Sequence, residues 1–212
     1  NGNVIISYTA SNGCSTTKNI TIGGINLNGN NSICINATTQ FSGSGDPNAN
    51  NPYVSSDTSI ATVSSTGVVT GISGGTATIT YTDNNNCTAT KSILVDAPVI
   101  SGIDTICVSS TTQFTGTGSG NFFTPWSSSN NNIASVSYGG VVTGNSAGTV
   151  TITYQNNSGC VGTKTITVIP SPTISGGNSI CANNTLQLTG SGTPNSSTPW
   201  TSSDNTIATV DN

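Results

Sequence analysis

Apolar and polar residues alternate with a period of two along most of the chain, and this pattern predicts β-strands. In the segment TATITY, residues 76–81, the alternation places Ala77, Ile79 and Tyr81 on one face and threonines on the other. The segment TVTITY at 149–154 repeats the pattern. Because successive side chains of a strand point to opposite faces, such segments are typical of strands with one buried face.

Further segments with the same alternation complete an all-β pattern. The inward positions that they predict are Phe114, Leu186, Leu188, Ile93, Val95, Ile166 and Val168. Helical periodicity is absent. Strands of about 5–7 residues, separated by Gly, Asn and Ser turns every 8–12 residues or so, predict β-sandwiches.

Landmark residues recur at a spacing of 73, so the chain is a tandem repeat. The landmarks are three tyrosines and three lysines: Tyr8, Tyr81, Tyr154, Lys18, Lys91 and Lys164. We assign residues 24–96 as the first repeat and 97–170 as the second repeat. Residues 1–23 are expected to be the C-terminal part of a preceding repeat, and 171–212 the N-terminal part of a following one. A unit of this size buries only about 60% of its unfolded surface, so we expect reinforcement by a disulfide or a neighbouring unit.

The charged residues are few, and their types narrow the range of functions. The chain has three Lys and seven Asp, with no Arg, Glu or His, and its net charge is −4. Without a basic patch, nucleic acid is not an expected partner. No apolar run approaches the ~20 residues that span a bilayer, so membrane insertion is not expected either. Because His-based triads and Arg clamps cannot be built from these residues, we expect neither an enzyme nor a bound cofactor or metal.

Six cysteines recur at two fixed positions of the repeat. They are Cys14, Cys87 and Cys160 at one position, and Cys34, Cys107 and Cys181 at the other. The chain has no His and no C-x-x-C motif, which disfavours a zinc site. Cysteines in a fixed phase of a chain rich in Ser, Thr and Asn favour disulfides, and therefore an extracellular, cell-surface setting.

The repeated motifs resemble those of a known family. The second repeat carries PWSSSNNNIASV at 125–136, GVVTG at 140–144 and AGTVTITY at 147–154. This order resembles the bacterial immunoglobulin-like group 2 domain, in the cysteine-containing form common in very long surface proteins and gliding adhesins of Bacteroidetes-type bacteria. The first repeat departs from the pattern with Tyr53, where the second has Trp126.

The resemblance implies immunoglobulin-like β-sandwiches arranged end to end. In the second repeat it implies strand A around 98–106, B at 111–116, C near 125–129, D and E across 133–143, F at 149–155 and G at 163–169. Trp126 would begin strand C. We interpret both tryptophans, Trp126 and Trp200, as core residues, because aromatic side chains dominate core burial.

In a sandwich of this topology, the two cysteines of a repeat lie at opposite ends. Cys34 falls at the A–B turn, near the C-terminal end, and Cys87 falls in the F–G loop, near the N-terminal end. Strands of ~7 residues separate these ends by more than about 20 Å, whereas a disulfide needs Cα atoms within about 7 Å.

We therefore favour a disulfide between successive repeats, Cys34–Cys160. The other cysteines would pair with repeats outside the segment: Cys14, Cys87, Cys107 and Cys181. The alternative is a bond within each complete repeat, Cys34–Cys87 and Cys107–Cys160.

Two modifications are weaker hypotheses. Asp104-Thr105-Ile106 resembles the short O-glycosylation acceptor of Bacteroidetes-type secreted proteins, which makes Thr105 a candidate site. Lys91 shares a strand face with buried residues. Its ammonium either reaches water at the edge of the core or joins an Asn or Asp in an isopeptide bond, and we favour the first reading.

These features predict a structural role. We expect a stalk or filament segment of a long secreted adhesin, whose partners are neighbouring repeats of the same chain. Repeat units contact only their neighbours, so length grows with repeat number. The alternative is a module that binds a glycan or another surface, with lateral self-association of chains also open. A less favoured possibility is an accessory domain of a surface enzyme.

Overall fold

The computed structural model describes residues 2–211, and these residues form strands, turns and bends with no helix. The segment before the first repeat is an antiparallel hairpin of β1 (Gly2–Thr9) and β2 (Ser15–Ile22). Its apolar residues Val4, Ile6 and Tyr8 are exposed. They align, 73 residues earlier, with positions that the first repeat buries.

The first repeat contains nine strands in two main sheets. They are β3 (Leu27–Asn28), β4 (Ser32–Cys34), β5 (Thr38–Gln40), β6 (Ser42–Gly43), β7 (Tyr53–Ser55), β8 (Ala61–Val63), β9 (Val68–Gly71), β10 (Gly75–Thr82) and β11 (Thr88–Asp96). One sheet has the order β4-β11-β10-β7, and the other has the order β5-β9-β8. Strand β4 runs parallel to β11, whereas the other pairs in these sheets are antiparallel. A short pair, β3-β6, completes the repeat.

The second repeat has the same nine strands in the same order. They are β12 (Ile100–Ser101), β13 (Thr105–Cys107), β14 (Thr111–Gln113), β15 (Thr115–Gly116), β16 (Trp126–Ser128), β17 (Ala134–Val136), β18 (Val141–Gly144), β19 (Gly148–Gln155) and β20 (Val161–Ile169). Its sheets are β13-β20-β19-β16, β14-β18-β17 and β12-β15. Strands β21 (Ile174–Gly176) and β22 (Leu188–Gly190) follow as one antiparallel pair.

Each complete repeat encloses its own hydrophobic core, and the all-β sandwich prediction is confirmed. The buried residues of the first core are Leu27, Ile33, Phe41, Ala61, Val69, Ala77, Ile79, Tyr81, Ile93 and Val95. Those of the second are Ile100, Ile106, Phe114, Ala134, Val142, Val150, Ile152, Tyr154, Ile166 and Val168. Both sheets contribute to each core, so the alternation read from the sequence marks the inner faces correctly.

Strand A of the second repeat is interrupted, where the sequence predicts one continuous strand. β12 forms a separate pair with β15, and the chain then enters the four-stranded sheet, where β13 pairs with β20. Gly102, between the two pieces, has a φ of 137°, a conformation that glycine adopts without steric cost. A Cβ at Gly102 would overlap the Phe114 ring, so this turn also needs the missing side chain.

Three positions that were expected to be buried differ from expectation. Leu186 is exposed and Leu188 is half-buried, because no second sheet covers β21 and β22 within residues 2–211. Trp126 is half-buried, not sealed in the core. Its ring packs against Tyr154, with centroids 4.7 Å apart, and lies 6.4 Å from the Phe114 ring. It therefore closes the edge of the core at one end of the sandwich.

Candidate functional site at the junction of the two complete repeats

Strand register places the two cysteines of the first repeat at opposite ends of its sandwich. β4 pairs with β11 so that Cys34 lies beside Asp96, the last residue of β11. Cys87 immediately precedes Thr88, the first residue of the same strand. The eight residue steps of β11 span roughly 26 Å, far beyond the reach of a disulfide. Bonding within this repeat is therefore geometrically blocked.

The structure brings Cys34 and Cys160 together in a disulfide. Their Cα atoms are 5.2 Å apart, although 126 residues separate them in sequence. Cys160 follows the turn after β19 and is buried, and Cys34 is half-buried at the end of β4. The bond joins the C-terminal end of the first repeat to the N-terminal end of the second. We call the connection between the two repeats around this bond the junction.

A short hydrogen bond lies beside the disulfide. Asn156 Nδ2 donates to Asp96 Oδ2 at 2.6 Å, across the junction. The same side chain uses its Oδ1 to accept the backbone N–H groups of Ser158, at 3.1 Å, and Cys160, at 3.0 Å. Asn156 therefore shapes the turn that presents Cys160 and also holds the carboxylate at the end of β11. Hydrogen bonds to a charged group are worth about 1.5–3 kcal/mol.

A close backbone approach forms the third contact of the junction. Gly162 and Pro98 are both buried. A Cβ on Gly162 would overlap the carbonyl oxygen of Pro98, so only glycine fits there without a shift of the backbone. Pro98 fixes its own φ and so stiffens the segment that connects the two sandwiches. Covalent, polar and steric contacts thus converge on this short connection.

Four cysteines carry free thiols in residues 2–211. Cys14, Cys87 and Cys181 are exposed, and Cys107 is half-buried. Cys107 lies beside Ile169 at the end of β20, the position that Cys34 holds in the first repeat. The pairing of these four cysteines with repeats outside the segment stays a prediction.

Lys91, the candidate for an isopeptide bond, is half-buried in β11, and Lys164 is the equivalent residue of the second repeat. Lys164 Nζ is 3.7 Å from Asp104 Oδ2, an ion-pair distance, and 5.9 Å from the centroid of the Phe114 ring. Its side chain is half-buried, as expected for a lysine that reaches out of the core edge. Thr105 is exposed in β13, directly after Asp104, and its glycosylation stays a prediction.

Two buried tyrosines sit below the N-terminal ends of the repeats. Burial raises the pKa of Tyr81 and Tyr154 above the usual value, since the ionised phenolate would lose hydration. Each hydroxyl donates to a backbone carbonyl, Tyr81 to Gly45 at 3.1 Å and Tyr154 to Gly118 at 3.0 Å. Both phenols therefore stay neutral at neutral pH. Tyr81 ties the loop after β6 to the first core, and Tyr154 ties the loop after β15 to the second core.

Within residues 2–211 no group of three or more His, Cys, Asp or Glu side chains could hold a metal ion. No helix of that range is long and apolar enough to cross a bilayer.

Sequence reasoning identified the cysteines of the junction but missed its other residues. Asp96, Asn156, Pro98 and Gly162 were not singled out as a group. A signal was present, because Asn156 and Gly162 replace residues that the first repeat has as Asp83 and Ala89, 73 positions earlier. A position that departs from an otherwise strict repeat is a candidate for a role specific to one repeat.

The chain is similar to several known proteins in its family pattern and in its fold. No curated protein matches it. Among solved structures, the chain is similar to invasin, titled a bacterial integrin-binding protein, with 18% identity, a TM-score of 0.42, and coverage of 78% of this chain and 43% of that one. It is also similar to a C-terminal fragment of intimin in complex with the intimin-binding domain of its translocated receptor, with 13% identity, a TM-score of 0.35, and coverage of 82% and 59%.

A third solved structure is domains 4 and 5 of the S-layer protein SbsC, with 17% identity, a TM-score of 0.30, and coverage of 69% of this chain and 98% of that one. The chain spans 50% of an intimin mutant from EHEC O157:H7, so it corresponds to part of that protein. The family model described as "Bacterial Ig-like domain (group 2)" matches residues 26–93 and 104–168, one match in each complete repeat. The chain belongs to the bacterial Ig-like domain family, group 2.

Proposed function

We propose that this chain is a non-catalytic stalk segment of a secreted cell-surface adhesin, in which disulfides between successive repeats stiffen the column. The observation that carries the proposal is the Cys34–Cys160 bond, which crosses from one sandwich to the next. A bond placed there restrains bending between units, whereas a bond within a unit would leave the connection free.

The neighbouring contacts support the same role. The hydrogen bond from Asn156 to Asp96 and the close packing of Gly162 on Pro98 restrict the same connection as the disulfide. Connections between independent domains are usually small and mobile. Here three kinds of contact act on a few residues, which favours a rigid shaft over a string of freely jointed units.

Membership in the family and the similarity to surface proteins agree with a cell-surface adhesin-type module. We further propose that this is the cysteine-containing form of the domain, in which each A–B cysteine bonds the F–G cysteine of the next repeat. Cys107 would then bond a following repeat, and Cys87 a preceding one.

The test is peptide mapping of the unreduced secreted protein, followed by imaging of its contour length. We expect a cross-linked peptide containing Cys34 and Cys160, and straight particles that bend and become protease-sensitive near residues 97–104 after reduction. A Cys34–Cys87 peptide, or particles equally straight before and after reduction, would remove the stiffening role.

A further inference from the structure

Three aromatic side chains of the second repeat have no counterpart in the other repeats. The remaining aromatic residues recur at equivalent positions: Tyr8, Tyr81 and Tyr154; Tyr53, Trp126 and Trp200; Phe41 and Phe114. The three that are left over are Phe122, Phe123 and Tyr138. The first repeat has Ala49, Asn50 and Ser65 at these positions, and the following segment has Ser196 and Ser197 at the first two.

These three exposed residues lie on two loops that contact each other, and we call them the aromatic patch. Phe122 and Phe123 lie in the loop between β15 and β16, and Tyr138 lies in the turn between β17 and β18. The hydroxyl of Tyr138 donates to the carbonyl oxygen of Phe122 at 3.3 Å. Their exposed fractions are 81%, 85% and 64%. The three aromatic residues that the repeat pattern does not explain therefore lie on two touching loops of the same repeat.

The fold does not require the aromatic patch. The first repeat forms the same strands with small and polar residues at these positions. Placing two phenyl rings in water is unfavourable, in proportion to the apolar surface that they expose. Exposed apolar groups that serve no packing purpose mark interaction sites.

A cavity adjoins the aromatic patch and indicates the chemistry of its ligand. Its volume is about 340 Å³, and Gln113, Thr115, Asn121, Trp126, Tyr138 and Tyr154 are among its lining residues. None of the lining residues carries a formal charge. The lining therefore presents aromatic rings, amides and hydroxyls. The hydroxyls of Tyr138 and Tyr154 already donate within the chain but can still accept a hydrogen bond. The nearest cation described is Lys164, whose Nζ lies 5.9 Å from the ring of Phe114, another lining residue.

We propose that the aromatic patch and the adjoining cavity form a binding site for a neutral glycan. The apolar C–H faces of a sugar ring can pack on the aromatic rings, and its hydroxyl groups can bond to side-chain amides and hydroxyls, the mixture that small-ligand sites present. A lipid surface fits less well, because the chain has no Arg and only three Lys, and no Lys lines the cavity to attract headgroups. The site belongs to the second repeat alone, and it does not depend on the stalk role.

The test uses electrophoresis of the oxidised chain through gels that contain neutral polysaccharides: a mixed-linkage β-glucan, xylan, mannan and starch. Pull-down on cellulose and chitin extends the panel. We expect retention by at least one of them. The triple variant Phe122→Ala, Phe123→Asn and Tyr138→Ser, which installs the residues of the first repeat, should weaken binding at least tenfold. Its thermal unfolding should match that of the parent chain, since the first repeat folds with these residues.

The control is Ile72→Asn, which replaces an exposed apolar residue of the first repeat with the residue of the second, Asn145, and should leave binding unchanged. Three outcomes would overturn the proposal. One is that no polysaccharide of the panel retains the parent chain. Another is that the triple variant binds as well as the parent. The third is a concentration-dependent dimer of the parent chain that the triple variant abolishes without any effect on glycan binding, which would assign the patch to a second copy.

Discussion

The N-terminal ends of the two complete repeats share a backbone and differ in chemistry. After strand F, each end has a buried side chain whose Oδ1 accepts two backbone N–H groups. In the first repeat Asp83 accepts from Asn85, at 2.9 Å, and Cys87, at 2.8 Å. In the second, Asn156 makes the equivalent bonds. Only Asn156 has an amide left to donate to Asp96, so the same turn becomes part of a junction through one change of atom type.

A second pair of positions differs in the same way. Gly162 packs on Pro98 in the junction, whereas the first repeat has Ala89 and Ile25 at the corresponding positions, both packed against its core. The position of Asp96 is Gly23 one repeat earlier. The two repeats therefore share a fold but are not interchangeable as neighbours. At the junction, Asp83 in place of Asn156 would set its carboxylate against that of Asp96. Ala89 in place of Gly162 would set its methyl group against the carbonyl oxygen of Pro98.

Among the changes that separate the two ends, breaking the disulfide should lower the free energy of unfolding the most. We expect Cys34→Ser to lower the free energy of unfolding by about 2–5 kcal/mol, because the bond closes a loop of 126 residues in the unfolded chain. Denaturant unfolding of the oxidised proteins measures the change. Cys87→Ser is the matched control, since that thiol is free and exposed, and it should alter stability by less than about 0.5 kcal/mol. Equal effects of the two variants would contradict the assignment.

Exchanging the buried turn residue should have the next largest effect. Asn156→Asp keeps both turn hydrogen bonds but places a carboxylate against Asp96, so we expect a loss of roughly 3 kcal/mol at pH 7. The loss should shrink as the pH falls, beginning above the free carboxyl pKa of about 4, because two carboxylates in contact raise the pKa of one of them, which then holds a proton and can donate. Thermal unfolding at pH 7 and pH 3.5 checks both statements.

The reverse exchange supplies its control. Asp83→Asn retains an Oδ1 that accepts from the backbone N–H groups of Asn85 and Cys87. The new amide would not face a carboxylate in the way that Asn156 faces Asp96. We expect a change within about 0.5 kcal/mol. A large loss in this variant, or a pH-independent loss in Asn156→Asp, would show that the two ends do not differ as described.

The sequence predicts the junction in part, and the reason lies in the range of each interaction. The alternation of Ala77, Ile79 and Tyr81 reports a local property, one buried face, and the sandwich follows from it. Asn156 and Asp83 serve the same local turn, so the local pattern does not reveal which of them meets Asp96. Only the departure of Asn156 from the repeat marks it, and that departure names no partner. Leu186 was assigned inward because the pattern assumes a facing sheet, which residues 2–211 do not supply there.

Filling the close approach should have a smaller effect. Gly162→Ala would force the backbone away from the Pro98 carbonyl, and overpacking of this kind costs about 1–3 kcal/mol. Part of this cost should be offset, because alanine is favoured over glycine within a strand. Ala89→Gly in the first repeat is the control and should cost less than about 1 kcal/mol. Proteolysis near residues 97–104 should increase in Gly162→Ala only, and equal cleavage of both variants would argue against a steric junction.

Alkaline pH should produce the smallest effect, and it should act on both ends alike. The pKa of Tyr81 and of Tyr154 is raised in the folded protein, mainly by burial, so the folded state keeps these protons at a pH where the unfolded state releases them. Their contribution is therefore fully present below the unfolded pKa of about 10 and is lost as the pH rises through the folded pKa. Unfolding midpoints measured from pH 8 to 12 should fall only above about pH 10. Tyr154→Phe and Tyr81→Phe should each flatten this fall to the same extent. Unequal slopes for the two variants would show that the ends differ, through the carboxylate of Asp83 near Tyr81 and that of Asp96 near Tyr154.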